Sequence, residues 1–344
     1  MLILNYAAVA VLTTLVFYLL VVGKPILLPF VIALFIWYLI NALATIIGRV
    51  QIHGQQLPVW LRFSLSILSL LLVLWFVLDL IIANIGQVSQ AAPTYEQNLR
   101  QLALRASAWL GIEELPSIRA MLEGVNLSNM LRQLLTAVTG IMGSTGTVLI
   151  YVAFLLLEQS SFNKKIAALF PNPEREQFVH RILQRIASEV QTYVWLKTIG
   201  SLLTAVLSYL VMKVIGVDFA EFWALLIFAL NYIPYIGALL GVVFPALIAL
   251  VQFETLTPFV ITVAVLTGIQ FAIGNVLEPR MMGKGLNISP LIMLIALAVW
   301  GSIWGIAGMF LAVPMMVIVM IICSNFEASR PVAIVLSEDG QLRH

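Results

Sequence analysis

The stretch FAEFWALLIFALNYIPYIGALLGVVFPALIALV, residues 219–251, decides how this chain is built. It is 33 residues long, and Glu221 is its only charge. Its middle is broken by Asn231-Tyr232-Ile233-Pro234-Tyr235-Ile236-Gly237, followed by Gly241 and Pro245. As one straight helix it would reach about 50 Å at 1.5 Å per residue. The hydrocarbon core of a bilayer is about 30 Å thick, and two full crossings need roughly 40 residues plus a turn. The segment is therefore either a tilted, broken span or a re-entrant helical hairpin. A second stretch, Pro290–Cys323, has the same character: 34 residues holding Trp300-Gly301-Ser302-Ile303-Trp304-Gly305-Ile306-Ala307-Gly308 and then Pro314.

The composition around these stretches agrees with a membrane setting. The 344 residues are 62% hydrophobic and 10% charged, with a mean hydropathy of +1.05. A soluble domain carries roughly a quarter charged residues, so a conventional soluble enzyme is excluded. Net charge is +2 and the charges are dispersed, which argues against a nucleic-acid partner. The lone Cys323 lies in an apolar run and reads as a packing residue. His53, His180 and His344 are scattered, with no His-Glu-x-x-His pattern and no phosphate-cradling glycine loop. No cofactor, metal site or catalytic constellation is expected.

Six ordinary spans are predicted at Leu4–Val22, Ile26–Ile47, Trp60–Ile85, Ile141–Leu157, Thr198–Val214 and Leu256–Ile273. The first has no basic residue ahead of it and is read as a retained span rather than a signal peptide. The fold class is all-α and polytopic, organised as follows. Residues 1–85 hold three spans, and 86–140 form a polar helical domain outside the membrane. Residues 141–159 are the fourth span, and 160–197 a cytoplasmic or interfacial helical segment. Residues 198–324 form a transport core containing the two broken segments (219–251 and 290–323), and 325–344 a cytoplasmic tail.

Within the polar domain, Thr94 and Gln97 after Pro93 read as a capping box that starts an amphipathic helix. After Pro171-Asn172-Pro173-Glu174, a helix lying in the interface and one continuing into the next span are equally good readings. Arg49, Arg62, Lys164, Lys165, Arg175, Arg181, Arg185 and Lys197 share one side, which should be cytoplasmic, as should both termini. Treating both broken segments as hairpins places Arg280 and Lys284 on that side and Glu254 on the other, the arrangement this rule favours.

Helices broken inside lipid need protein or water to satisfy the freed backbone groups. Two such breaks point to a solute path. Its candidate lining is Asn231, Pro234, Gly237, Gly241, Gln270, Asn275, Gly301, Gly305, Gly308 and Pro314. Small residues at four-residue spacing also let helices pack closely, and Gly301, Gly305 and Gly308 suit that alternative. Glu278 and Arg280 read either as an ion pair anchoring a loop or, through Glu278, as a proton-coupling group. Pro279, Gly283, Gly285 and Pro290 are hinge candidates.

Taken together, Asn231–Gly237, Gly274-Asn275-Val276-Leu277-Glu278-Pro279-Arg280-Met281-Met282-Gly283 and Gly301–Pro314 resemble the autoinducer-2 exporter family of bacterial membrane proteins over nearly the whole chain. Ala238 departs from the proline that many members carry there. The resemblance implies eight membrane segments, a bacterial inner-membrane location and a homo-oligomer, with a pentamer as the expected form. It also implies export of a small polar solute, the quorum-sensing signal autoinducer-2 first among them. Asn231, Gln270 and Asn275 would offer neutral hydrogen bonds to such a solute. Cation/proton exchange through Glu278, and a non-transporting membrane scaffold, are the competing expectations.

Overall fold

The computed structural model describes residues 2–49, 51–52, 55–110, 127–282 and 287–342. The described chain is almost entirely helical, as expected for a polytopic membrane protein. The helices are α1 (Leu2–Val22), α2 (Lys24–Ile47), α3 (Val59–Leu110), α4 (Leu127–Leu169), α5 (Pro173–Ile215), α6 (Ala220–Leu230) and α7 (Ile236–Gln252). They continue as α8 (Leu256–Phe271), α9 (Glu278–Met282), α10 (Pro290–Trp304), α11 (Ile306–Asn325) and α12 (Arg330–Leu336). A short π-helical segment, Ala272–Leu277, joins α8 to α9. A two-residue ribbon, Gln51–Ile52 against Gln55–Gln56, is the only sheet among the described residues.

Six described stretches are long and apolar enough to cross a bilayer: Lys24–Ile47, Val59–Asn84, Thr145–Leu169, Pro173–Ile215, Leu256–Met281 and Ile306–Asn325. Large apolar side chains along them point outward, Trp75 at 66% and Phe154 at 65% exposure among them. Such surface is stable only against lipid or another apolar chain.

Local readings fare differently. Helix α3 runs straight through Pro93, so Thr94 starts no helix. The extension past the membrane is held by contacts instead: the Tyr95 hydroxyl donates to Asp218 Oδ2 at 2.7 Å, and Asn98 Nδ2 donates to the Val251 carbonyl at 2.8 Å. These offset a proline that costs about 3 kcal/mol in a helix interior. Helix α5 is continuous from Pro173 to Ile215, which decides for a helix continuing into the next span. Asn172 caps it by accepting the Glu174 N–H at 2.9 Å, while Glu174 and Glu176 face the positive end of the helix dipole. The second half of the predicted polar domain's connection, residues 111–126, lies outside the described residues.

The chain divides into two compact units. Unit 1 comprises Met1–Leu68, Gly143–Trp195 and Met282–His344; unit 2 comprises Ser69–Met142 and Leu196–Met281. The two broken segments therefore fall in different units.

In unit 2, α6 and α7 fold back on each other around Pro234. Leu230 meets Gly237, Ile227 meets Gly241, and Trp223 stacks on Phe244 with ring centres 6.1 Å apart. Ala220, Phe222, Trp223, Ile227, Ile248, Ala249 and Val251 close the core between the arms, together with Met212 of α5 and Leu266 of α8. In unit 1, α10 and α11 fold back around Gly305 in the same way. Trp300 meets Gly308 and Gly301 meets Met309, while Met293 and Ala296 share a core with Val313, Met316 and Val317. Each broken segment is thus a helical hairpin.

One device makes both crossings. A Cβ on Gly237 would lie 1.8 Å from the Leu230 carbonyl oxygen, and one on Gly308 would lie 1.9 Å from that of Trp300. Only glycine fits where an arm crosses a backbone carbonyl so closely. The arms are unequal. At 1.5 Å per residue α6 and α7 reach about 16 and 25 Å, and α10 and α11 about 22 and 30 Å. Helix α11 alone matches the hydrocarbon thickness, which the even treatment of the two segments in the sequence did not anticipate.

Candidate functional site

The site is built from the end of α8. Pro279 has no N–H and its ring crowds the carbonyl four residues back, at Asn275. The helix answers by widening: Ala272–Leu277 is π-helical, and the Glu278 N–H donates to Ile273 O, five residues back. Such single-turn widenings are frequent at functional sites because they re-aim the side chains that follow.

The side chain so aimed is Glu278. Both of its carboxylate oxygens accept hydrogen bonds from Lys197 Nζ, each at 2.9 Å, and both side chains are only 12% exposed. A charged pair this enclosed is stable only as a pair. Removing one partner leaves an uncompensated charge and costs about 3–5 kcal/mol. Gly200, on α5 one turn beyond Lys197, makes room for the carboxylate: a Cβ there would lie 2.6 Å from Glu278 Oε1.

The first hairpin joins the same turn of α5. Tyr232, buried next to the break, shares a 2.6 Å hydrogen bond between its hydroxyl and Thr198 Oγ1. Residues 197–200 thus hold the Glu278 motif on one side and the Asn231–Gly237 motif on the other. Two backbone positions near the hairpin are strained. Phe219 at φ 57° and Tyr235 at φ 61° occupy the left-handed half of φ space that side chains other than glycine's rarely adopt.

The remaining predicted residues are distributed as follows. Asn231 is buried beside Pro234 at the break, and Gly237 and Gly241 line the facing arm. Gln270 directs its Nε2 at Gly241, where a Cβ would come within 3.0 Å. Asn275 is exposed, apart from this group, and so is Arg280; Glu278 takes Lys197 as its partner rather than Arg280. Pro279 sits within α9 and Pro290 begins α10, while Gly283 and Gly285 lie outside the described residues.

Gly301, Gly305, Gly308 and Pro314 belong to unit 1, whose hairpin is apolar and aromatic. Its anchor is Trp304, which packs against Trp300 and donates its indole N–H to the Leu20 carbonyl at 3.1 Å. That carbonyl belongs to the last turn of α1, where helix carbonyls lack internal partners.

Lys197, Thr198, Gly200 and Tyr232 were not singled out as site residues in the sequence. Gly200 carried a usable signal: a glycine inside a span costs about 1 kcal/mol relative to alanine, and this one stands a single turn from a lysine.

At the far end of unit 2, Gln252 bridges the Gly216 carbonyl and the Asp218 N–H, both at 2.8 Å. Tyr95 docks on that junction. Burial pushes its phenol well above the ordinary 10.0, and the adjacent Asp218 carboxylate pushes it further.

Comparison with known proteins bears on the whole of this arrangement. The sequence model of the AI-2E family transporter matches residues 7–328. The chain belongs to the AI-2E transporter family. Among its relatives in that family, the AI-2 transport protein TqsA of Escherichia coli K12 is 30% identical over 322 residues, covering 92% of this chain and 90% of TqsA. YhhT of the same organism is 29% identical across 91% of this chain and 88% of its own length. YrrI of Bacillus subtilis is 25% identical across 89% and 88%. The last two carry provisional designations as transport proteins. The AI-2E match takes in the Lys197–Glu278 pair and both hairpins.

Proposed function

We propose that this AI-2E protein is a secondary carrier exporting a small, uncharged, polar solute, autoinducer-2 or a compound of its kind, across the bacterial inner membrane. The observation that carries this reading is the mutual neutralisation of Lys197 and Glu278 at 2.9 Å beside the first hairpin. With those charges satisfied by each other, the other polar groups in this part of unit 2 are neutral: the Asn231 and Gln270 amides and the hydrogen-bonded Thr198–Tyr232 hydroxyl pair. Neutral donors and acceptors suit a hydroxyl-rich molecule better than an ion. The designation of TqsA as an AI-2 transport protein supports the choice of signal. In this reading both hairpins are re-entrant, the termini face the cytoplasm, and the chain assembles as a homo-oligomer.

A second reading has its own support. Lys197 is a tethered cation on a carboxylate, and a mobile cation or a proton could take its place. Reconstituted vesicles separate the two. Movement of autoinducer-2 without accompanying sodium or proton flux supports the exporter. Sodium exchange driven by a pH gradient, with no flux of the signal, refutes it in favour of the antiporter. Cysteines placed at Glu254 and Lys284 in a chain lacking Cys323 should react from outside and from the cytoplasm respectively; reversed labelling rules out the re-entrant arrangement.

A further inference from the structure

Unit 1 contains a small cavity, about 60 Å³ in volume, that the transport reading does not use. Arg185 and Glu189 of α5 form one wall. Val317, Met320, Ile321 and Ser324, at the C-terminal end of α11, form another. Because α11 matches the hydrocarbon thickness, that end lies near the level of the lipid headgroups. The roof is the segment after α12, with Gln341 and Leu342 over the cavity. Asn287 fixes it there: its Nδ2 donates to Asp339 Oδ1 at 2.6 Å and to the Gln341 carbonyl at 2.8 Å. The Ser289 N–H adds a bond to the Leu336 carbonyl at 2.9 Å. The cavity is thus closed by specific bonds.

Its charges point to the class of ligand. Glu189 is partly buried and makes neither a hydrogen bond nor an ion pair among the described residues. Arg185 stands one turn before it, about 6 Å along the axis, and does not pair with it. A carboxylate at membrane depth takes a partner, and the protein supplies none to Glu189. A bare metal ion suits the site poorly. Hard cations take about six or more oxygens, whereas here a guanidinium flanks the one lining carboxylate and apolar side chains face it. An anion would meet Glu189. A ligand carrying both charges meets each residue with the opposite sign.

We infer that this cavity seats the phosphoethanolamine headgroup of a membrane lipid, its ammonium on Glu189 and its phosphate toward Arg185. Arginine is the side chain whose donors best match phosphate, and basic pockets at headgroup level recognise lipids in this way. The short link between phosphate and ammonium suits side chains one helical turn apart. Size selects among zwitterionic headgroups. A cavity of about 150 Å³ takes up benzene; on that scale this one seats about two or three heavy atoms. That is room for a primary ammonium and its methylene. A choline headgroup carries three methyls on its nitrogen, which overfill the space and leave no N–H for the carboxylate.

The test is native mass spectrometry of the full-length protein, released from detergent micelles with added lipid. Dioleoylphosphatidylethanolamine should bind about tenfold more tightly than dioleoylphosphatidylcholine, the factor that about 1.4 kcal/mol represents. Glu189→Gln keeps the shape and removes the charge. It should erase that preference while leaving phosphatidylcholine binding and the melting temperature without lipid unchanged, since no group in the protein uses the carboxylate. Equal binding of the two lipids by the unaltered protein overturns the inference. So does a preference that survives E189Q, or an E189Q melt lowered in the absence of lipid, which would give Glu189 a partner within the protein. Displacement of the lipid by micromolar soluble phosphoethanolamine overturns the lipid as the source. None of these results depends on transport, so each is separable from a failure of the exporter reading.

Discussion

Replacing Gly200 by alanine sets two opposite expectations against each other. In a helix interior the change gains about 1 kcal/mol from propensity alone. Here the new methyl would lie 2.6 Å from Glu278 Oε1, 3.1 Å from its Cγ and 3.2 Å from its Cδ. The carboxylate as a whole must withdraw, since three of its side-chain atoms are crowded at once. Withdrawal stretches the two 2.9 Å bonds to Lys197. Losing one charge-assisted hydrogen bond costs about 1.5–3 kcal/mol. Subtracting the propensity gain leaves a net destabilisation of about 0.5–2 kcal/mol.

Gly268, in the last turn of α8, is the control, because a Cβ there meets nothing within 4 Å. Thermal unfolding in detergent should rank the proteins G268A above wild type above G200A, and only G200A should lose vesicle transport. A G200A protein as stable as G268A, with transport intact, would refute the claim that Gly200 exists to seat the carboxylate.

The other predictions concern the pair, the clamp and the strained turn. Glu278→Gln strands the Lys197 charge and should destabilise by about 3–5 kcal/mol; K197M/E278Q should recover most of that in the same melt while remaining inactive in vesicles. Tyr95→Phe removes a hydrogen bond to a carboxylate, about 1.5–3 kcal/mol. Because the Tyr95 pKa is raised in the folded state, its contribution is complete below pH 10.0 and is lost as pH climbs beyond it. Melts of wild type and Y95F should therefore differ most at neutral pH and converge in strong alkali. Tyr235→Gly relieves a residue at φ 61°, worth about 1–3 kcal/mol; the expected outcome is a higher melting temperature with slower transport, the signature of strain kept for function.

What could be read in the sequence follows from the range of each force. Burial of apolar runs acts over whole segments, so the membrane class and the places of the two breaks were visible in composition and in Pro234, Gly237, Gly305 and Gly308. Local signals competed with tertiary contacts and sometimes lost. Pro93-Thr94 has every mark of a helix start, yet Tyr95 and Asn98, bonded to residues more than a hundred positions away, carry α3 through it. The ion pair was out of reach for the same reason: Lys197 and Glu278 are 81 residues apart, and nothing local to Glu278 distinguishes Lys197 from Arg280. The equivalence of the two broken segments, natural on sequence, gives way in the structure. One adjoins a buried charge pair, while the other is closed by tryptophans and glycines in the manner of close helix packing.

The π-helical turn ahead of Glu278 has a bearing on how such a site can be gained or lost. A π-turn holds one residue more than the α-turn it replaces, so deleting a single residue from Ala272–Leu277 would restore regular winding and leave the flanking helix facing nearly as it does now. Glu278 would still face Lys197, because the turn absorbs the lost residue; a second deletion would find no such reserve and would turn the carboxylate away by about 100°. The widened turn is thus a spare residue held ahead of the charge pair, and it shields that pair from a one-codon change in length.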